Sequence, residues 1–244
     1  MAIKGIFPSL YPILDASYLA GADDRAGFLR HIVQGLAGAS VGIVQYRNKT
    51  GDEAEILADA LVMREATEYW TKGTVNPRLK AEMSSELTSQ RRGVGHPAAG
   101  SPMLLILNDW PELVVEAGFD GVHVGQTDVS PARARAIVGP GKIVGVSTHN
   151  EAQMRAADLE PVDYIAIGPV YATATKENPD PVVGLEGVRL ARSLTRKPLV
   201  AIGGITAENA GAVLEAGADS VAVISGIFAP GEDAAKLARN FPKR

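Results

Sequence analysis

Two carboxylates, three cations and a set of amides stand where short apolar runs of this sequence end, and together they suit the handling of phosphate esters with a hard metal ion. Asp109 and Asp128 close two successive runs. Oxygen donors without cysteine or a paired histidine match magnesium better than a transition metal. Singly, Asp109 would read as a helix cap and Asp128 as a turn residue; as a pair beside cations they favour the metal. Arg47, Lys49 and Lys176 supply the positive charge. A guanidinium grips phosphate oxygens bidentately and lysine acts as a mobile point charge, so the three together suggest a pyrophosphate grip. Gly203-Gly204 and Ile224-Ser225-Gly226 follow the last two apolar runs, where glycine lets backbone N–H groups approach a second anion. Asp15, Gln45, Asn108, Gln126, Thr127, Ser147, Thr148, Thr173 and Thr175 complete a polar set that would be costly to bury without a ligand. His123 reads as a hydrogen-bonded residue inside a strand. His149 reads as a capping or exposed residue at a helix start, and His31 and His96 lie away from the set. No Ser-His-Asp arrangement and no histidine metal cluster emerges.

Eight apolar runs must carry these residues: Tyr11–Asp15, Val41–Arg47, Met103–Asp109, Gly121–Gly125, Lys142–Thr148, Tyr164–Pro169, Pro198–Gly204 and Ser220–Ser225. They are β-branched-rich and nearly free of charge, as strands buried on both faces should be. Patterns of helical length follow them: Arg25–Gly38, Asp52–Trp70, Pro111–Ala117, Pro131–Val138, Glu151–Asp158, Leu185–Thr195, Ala207–Ala216 and Gly226–Asn240. Thr50 with Glu53 and Thr148 with Glu151 have capping-box spacing, and Ser130 before Pro131 reads as a cap followed by the first helical residue. Eight strand–helix units that use the whole chain, residues 1–244, predict one α/β domain closed as a (β/α)8 barrel, ahead of a doubly wound open sheet. The polar set then falls at the C-terminal ends of the strands, the face where such barrels carry their chemistry. Residues 71–102 do not fit. They are polar and rich in Gly, Pro, Ser and Arg, much longer than a helix-to-strand connection needs. Leu79, Met83 and Leu87 have helical spacing within them, and the segment reads as a surface insertion at the opposite face.

Bulk composition narrows the partners. A net charge of −4 with no basic stretch argues against nucleic acid while allowing small phosphorylated substrates in a local cationic cleft. No run approaches the roughly 18 apolar residues of a membrane span, and the first ten residues lack a secretory pattern. The absence of cysteine excludes disulfides and thiolate chemistry and fits a cytoplasmic protein. Whether the chain forms a homo-oligomer is left open.

Six segments resemble the thiamine phosphate synthase family. They are Gln45-Tyr46-Arg47-Asn48-Lys49, Asn108-Asp109, the stretch from Gly121 to Asp128, the stretch from Gly145 to His149, the stretch from Gly168 to Lys176, and the stretch from Ala201 to Thr206. The resemblance implies a transferase that condenses a hydroxymethylpyrimidine pyrophosphate with a thiazole phosphate, or its carboxylated form. It also implies magnesium on Asp109 and Asp128. Gln45, Arg47, Lys49, Asn108 and Lys176 match positions around the pyrimidine pyrophosphate, with Ser147 near the reacting ring. Thr173, Thr175, Gly204, Ile224 and Ser225 match positions around the thiazole phosphate. Lys176, Ser147 and Arg47 are the expected catalytic residues. Asn48 stands where the family usually has glutamate, and Trp110 where it usually has arginine. A thiazole tautomerase, a non-catalytic phosphate-ligand sensor and an unrelated phosphate-binding barrel such as an epimerase are the competing readings. The Thr173–Lys176 segment and Asn108-Asp109 favour the synthase, since a tautomerase has no pyrophosphate to hold.

Overall fold

The structure, a computed structural model, describes residues 7–71, 103–173, 180–228 and 232–243. Eight strands run β1 Leu10–Asp15, β2 Ile43–Arg47, β3 Leu104–Asn108, β4 Gly121–Val124, β5 Ile143–Thr148, β6 Tyr164–Ile167, β7 Leu199–Ile202 and β8 Ser220–Val223. Each pairs in parallel with the next, and β8 pairs with β1, so the sheet closes. The open-sheet alternative is thereby excluded. Eight α-helices are found among the described residues: α1 Arg25–Gly38, α2 Glu53–Thr71, α3 Pro111–Glu116, α4 Pro131–Val138, α5 Glu151–Leu159, α6 Gly184–Leu194, α7 Ala210–Glu215 and α8 Ala234–Ala238. The 72–102 part of the expected insertion, with Leu79, Met83 and Leu87, lies outside the described residues.

Two apolar layers explain the unbroken strand runs. Alternate side chains point inward, where Tyr11, Ile13, Ile43, Ile106, Tyr164, Val200 and Ala222 form the barrel core. Their neighbours, such as Leu14, Val44, Leu105, Val122, Val144 and Ile165, point outward against the helices. Burial on both faces is what makes these strands continuously apolar.

Helix starts follow side-chain capture of orphan N–H groups, in two places differently from the spacing signals. Ser130 caps α4 as expected, accepting from Arg133 N at 3.3 Å. Thr50 does not cap α2; Asp52 does, accepting from Glu55 N at 2.9 Å. Asn150, not Thr148, caps α5 by accepting from Gln153 N at 3.0 Å. The Thr148 hydroxyl instead donates to Ala166 O, across to β6. The helix expected over Gly226–Asn240 is much shorter. Asp233 accepts from Ala235 N and Lys236 N and starts α8 there, while Ile227 N and Phe228 N fold back onto Ile224 O in a turn.

A three-membered clamp recurs on the N-terminal face of the barrel. Asp120, immediately before β4, accepts from Leu105 N of β3 and from Arg64 of α2. Asp163, before β6, accepts from Val144 N of β5 and Arg135 of α4. Asp219, before β8, accepts from Leu199 N of β7 and Arg192 of α6. Before β2 the corresponding place is held by Gly42, which packs against Pro8.

Candidate functional site

The loop after β2 is built from beneath. Asn48 is buried; its amide oxygen accepts from Thr50 N and Gly51 N, and its amide nitrogen donates to Tyr46 Oη and Glu55 Oε1. Tyr46 in turn donates to Asp59, which Arg25 holds with its guanidinium at 2.6–3.0 Å. This anchored turn presents Arg47 and Lys49 on either side of Asn48. Asn48 therefore organises the loop without facing the barrel mouth. Trp110, the other departure from the family pattern, packs against the outer core at the start of α3.

Arg47 pairs with Asp15 at the end of β1. Burial would push the Asp15 carboxyl up, but the Ser17 hydroxyl and N–H and the Arg47 guanidinium hold it below its usual range. Lys49 pairs with Asp109 after β3. Asp109 also faces Asp128, which is tied by its own turn, accepting from Gly125 N at 2.7 Å. Asp109 caps nothing: Trp110 occupies the helix-cap position without a side-chain bond. Its backbone is left-handed, with φ 69°, which turns the side chain out of the strand and towards β4. Burial first, and then Asp128, pushes the Asp109 carboxyl up to about 6, with Lys49 opposing. At Asp128 burial is outweighed by the bond to Asp109, the Gly125 N–H and the Lys49 charge, so that carboxyl falls below its usual value. Two carboxylates held against each other, with one forced towards protonation, are under-neutralised by a single lysine. Such a pair fits a small divalent cation that completes its sphere with water and substrate phosphate. Among the described residues no cluster of three or more His, Cys, Asp or Glu offers a fuller cage.

Below the mouth the register aligns Asn108, His123, Gly145 and Tyr164 on one rung across β3 to β6. Side chains on one rung share a face, so all point inward. Gly145 leaves a gap that the Tyr164 ring fills: a Cβ there would meet Tyr164 Cζ at 2.0 Å. Tyr164 thereby stacks on His123, with ring centroids 5.5 Å apart. His123 Nδ1 bonds Tyr164 Oη and its Nε2 bonds Ser147 Oγ, both at 2.8 Å. Burial holds the imidazole down to about 4, so it is neutral near pH 7. Gln45 is buried and donates to Tyr11 Oη at 3.2 Å, and Tyr11 Oη lies 2.9 Å from Tyr164 Oη. Gln126 donates to Ser147 O at 2.6 Å, fixing the β4 loop against β5. His149 is neither a cap nor exposed. Its Nδ1 lies 2.7 Å from Gly168 O and 3.5 Å from Asp180.

The structure thus brings together Gln45, Arg47, Lys49, Asn108, Asp109, Asp128 and Ser147 at the ends of β2 to β5. Gly204, Ile224 and Ser225 form a second group at the ends of β7 and β8, where Ser225 is exposed and Ile224 packs partly onto the inner core. Gly203 and Gly204 are required by close approach. Both have positive φ, and a Cβ on either would strike the loop after β6, at Pro169 and Ala172 O respectively. That loop is pinned by Val170 N to Ile202 O and Tyr171 N to Gly203 O, which carries Thr173 towards the β7 end. Thr175 and Lys176 lie outside the described residues. Tyr11 and Tyr164 were missed as site-supporting residues. Their signal was a period of two, since Tyr11-Ile13-Asp15 and Tyr164-Ala166-Gly168 share the inward phase.

The family model described as thiamine monophosphate synthase matches residues 73–227. The thiamine-phosphate synthase of Koribacter versatilis is 46% identical over 221 residues, covering 91% of this chain and 89% of that protein. The thiamine-phosphate synthase of Chloroflexus aurantiacus is 36% identical over 220 residues, covering 90% and 85%. Among solved structures, the thiamine phosphate pyrophosphorylase from Pyrococcus furiosus superposes with a TM-score of 0.68, 24% identity and coverage of 95% and 93%, a likeness of fold. No helix among the described residues is long and apolar enough to cross a membrane. With matches spanning most of its length, the chain belongs to the thiamine monophosphate synthase family.

Proposed function

We propose that this protein is a thiamine-phosphate synthase, a transferase that joins a 4-amino-pyrimidine carrying a CH2–pyrophosphate arm to a thiazole phosphate, releasing pyrophosphate. The observation that carries the reading, beyond family membership, is the Asp109–Asp128 pair with Lys49 against it and Arg47 on the same loop as Lys49. A tautomerase or a phosphate-ligand sensor has no leaving pyrophosphate to neutralise and little use for opposed carboxylates. Asp109 and Asp128 would hold Mg2+, which when bound offsets the charge of the pyrophosphate. Arg47, Lys49 and Lys176 would grip the same group, with Asn108 and Gln45 orienting the pyrimidine. Breaking the methylene C–O bond leaves a cation that the electron-rich aminopyrimidine tolerates, and the thiazole nitrogen then attacks that carbon. The nitrogen has no proton to lose, which suits a mouth with cations, amides and carboxylates but no activated nucleophile. Thr173, Thr175, Gly204, Ile224 and Ser225 would place the thiazole phosphate so that the two reacting atoms meet. The lack of cysteine supports a reducing, cytoplasmic setting for this chemistry.

Incubation of the purified protein with both substrates and Mg2+ is expected to yield thiamine phosphate and pyrophosphate in equal amounts, and a chelator should abolish both. Formation of neither product by folded, Mg2+-supplied protein would overturn the assignment.

Magnesium binding should also depend on pH in a defined sense. A carboxyl raised to about 6 carries a proton below that pH and cannot serve as a ligand. Calorimetric titration should show Mg2+ affinity constant above pH 7 and falling by roughly tenfold per unit below pH 6. In metal-free protein the same shift makes the folded state bind more protons than the unfolded chain between about pH 4 and pH 6. Stability contributed there is present at low pH and lost as pH rises through that window. A pH-independent Mg2+ affinity would remove Asp109 from the metal.

A further inference from the structure

The proposed chemistry uses Gln45, and the family resemblance sets Ser147 near the reacting ring, but the buried aromatic groups that connect them are left unexplained. Gln45, Tyr11, Tyr164, His123 and Ser147 come from β2, β1, β6, β4 and β5, and four hydrogen bonds of 2.8–3.2 Å link them in that order through the barrel. Tyr11 and Tyr164 are about 1% exposed and His123 7%, so water cannot easily substitute for any internal link.

Proton counting gives this chain a direction. The amide nitrogen of Gln45 faces Tyr11 and can only donate. Tyr11 oxygen is then an acceptor on that side, and its single proton goes to Tyr164. The Tyr164 proton in turn goes to His123 Nδ1. A neutral imidazole has one proton, so it resides on Nε2 and is donated to Ser147 Oγ. The Ser147 hydroxyl proton is left over for the barrel mouth, where the residue is partly exposed. Had the Gln45 amide presented its oxygen to Tyr11, every proton would change sides and Ser147 would face the mouth as an acceptor.

We infer that these five residues form a one-directional hydrogen-bond wire whose polarity is set by the Gln45 amide, which holds His123 as its Nε2–H tautomer and presents Ser147 to the mouth as a hydrogen-bond donor. Tyr11, Tyr164 and His123 are positioning residues in this arrangement, acting through Ser147. Its consequence for substrate rests on the synthase reading. A donor at Ser147 complements the lone pair of a ring nitrogen in a 4-aminopyrimidine. The 4-oxo analogue carries N–H at the ring position next to its carbonyl, so that nitrogen offers no lone pair to the Ser147 proton. The wire thus selects an amino- over an oxo-pyrimidine without any of its three inner residues touching the ring.

The test has two arms. The imidazole 15N shifts of substrate-free protein report the tautomer directly, with His123 assigned by the signals that vanish in His123→Asn. A single Nε2–H form is expected; an Nδ1–H form, or a mixture, would overturn the wire whatever the protein catalyses. The second arm is a double-mutant cycle on kcat/KM for the pyrimidine substrate. Tyr164→Phe keeps the ring that fills the Gly145 gap and should cost about tenfold, the worth of one hydrogen bond. In a Ser147→Ala background the same change should cost nearly nothing, since its effect travels through Ser147. Tyr11→Phe, which breaks the wire one link further out, should show the same non-additivity. KM for the thiazole phosphate should not move. Equal losses in both backgrounds would reduce the tyrosines to packing and refute the positioning role, and a protein that catalyses no coupling leaves the tautomer arm to decide the wire alone.

Discussion

Asp109→Asn is expected to lower kcat by about two to three orders of magnitude, the loss typical of removing a group that stabilises developing charge, while the barrel stays folded. The substitution keeps the shape of the side chain and removes the charge. Asparagine also tolerates the left-handed backbone that Asp109 adopts, φ 69°, so no strain is added. Removing one of two opposed carboxylates relieves a repulsion that bound Mg2+ would relieve in the wild type, so the melting temperature without metal should hold or rise slightly. The check is a rate measured at saturating Mg2+ together with a thermal melt. A wild-type rate would eliminate Asp109 as a metal ligand, and a collapsed melt would mean that the charge pair with Lys49 matters more for folding than for turnover.

The second large effect concerns stability. Gly145→Ala should cost about 3 kcal/mol, at the top of the range for overpacking, and lower the melting temperature by roughly 6–12 °C for a chain of this size. The new methyl would lie 2.0 Å from Tyr164 Cζ and 2.4 Å from its hydroxyl. No small adjustment clears that overlap, because Tyr164 is held by Tyr11 on one side and by His123 on the other. Denaturant or thermal unfolding measures the loss. A melt within 1–2 °C of wild type, on the order of an ordinary surface substitution, would mean that the inner core can open around Tyr164.

How far the sequence speaks for itself differs between the fold and the site. Strand positions were legible because burial on both faces leaves an unmistakable apolar run, and Arg25–Gly38 and Pro131–Val138 fall where their patterns place them. Helix starts were less so. Asp52 and Asn150 took the caps that spacing assigned to Thr50 and Thr148, because a hydroxyl engaged elsewhere, as Thr148 is with Ala166 O, cannot cap. Asp109 and Asp128 were legible as a pair since adjacent strands of a barrel must bring their ends together. That Lys49 would reach Asp109, and Arg47 reach Asp15, was not, because partner choice among charges depends on loop geometry. The buried wire was missed for a different reason. Tyr11 and Tyr164 look like ordinary aromatic core residues, and only the register across Gly145 reveals that a hydroxyl meets an imidazole. Asn48 was read as a departure from the family pattern that removes no ligand but bears on loop packing, and its contacts show a residue turned inward to shape the loop.

The clamps on the opposite face divide the barrel in a way the active end does not betray. Asp120, Asp163 and Asp219 each fasten the start of an even strand to the start of the preceding odd strand and to the helix before it. Three quarters of the ring are therefore near-copies of one stapled module, α–β–α–β, repeated head to tail. The remaining quarter, where β8 hands over to β1 and β2, has glycine at the corresponding position and no such staple among the described residues. A ring with three stapled arcs and one plain arc has a seam. Local opening should begin there, at the N-terminal ends of β1 and β2 and beneath the anchored loop that carries Arg47 and Lys49, while the strands that carry Asp109, Asp128 and Ser147 are stapled at that end.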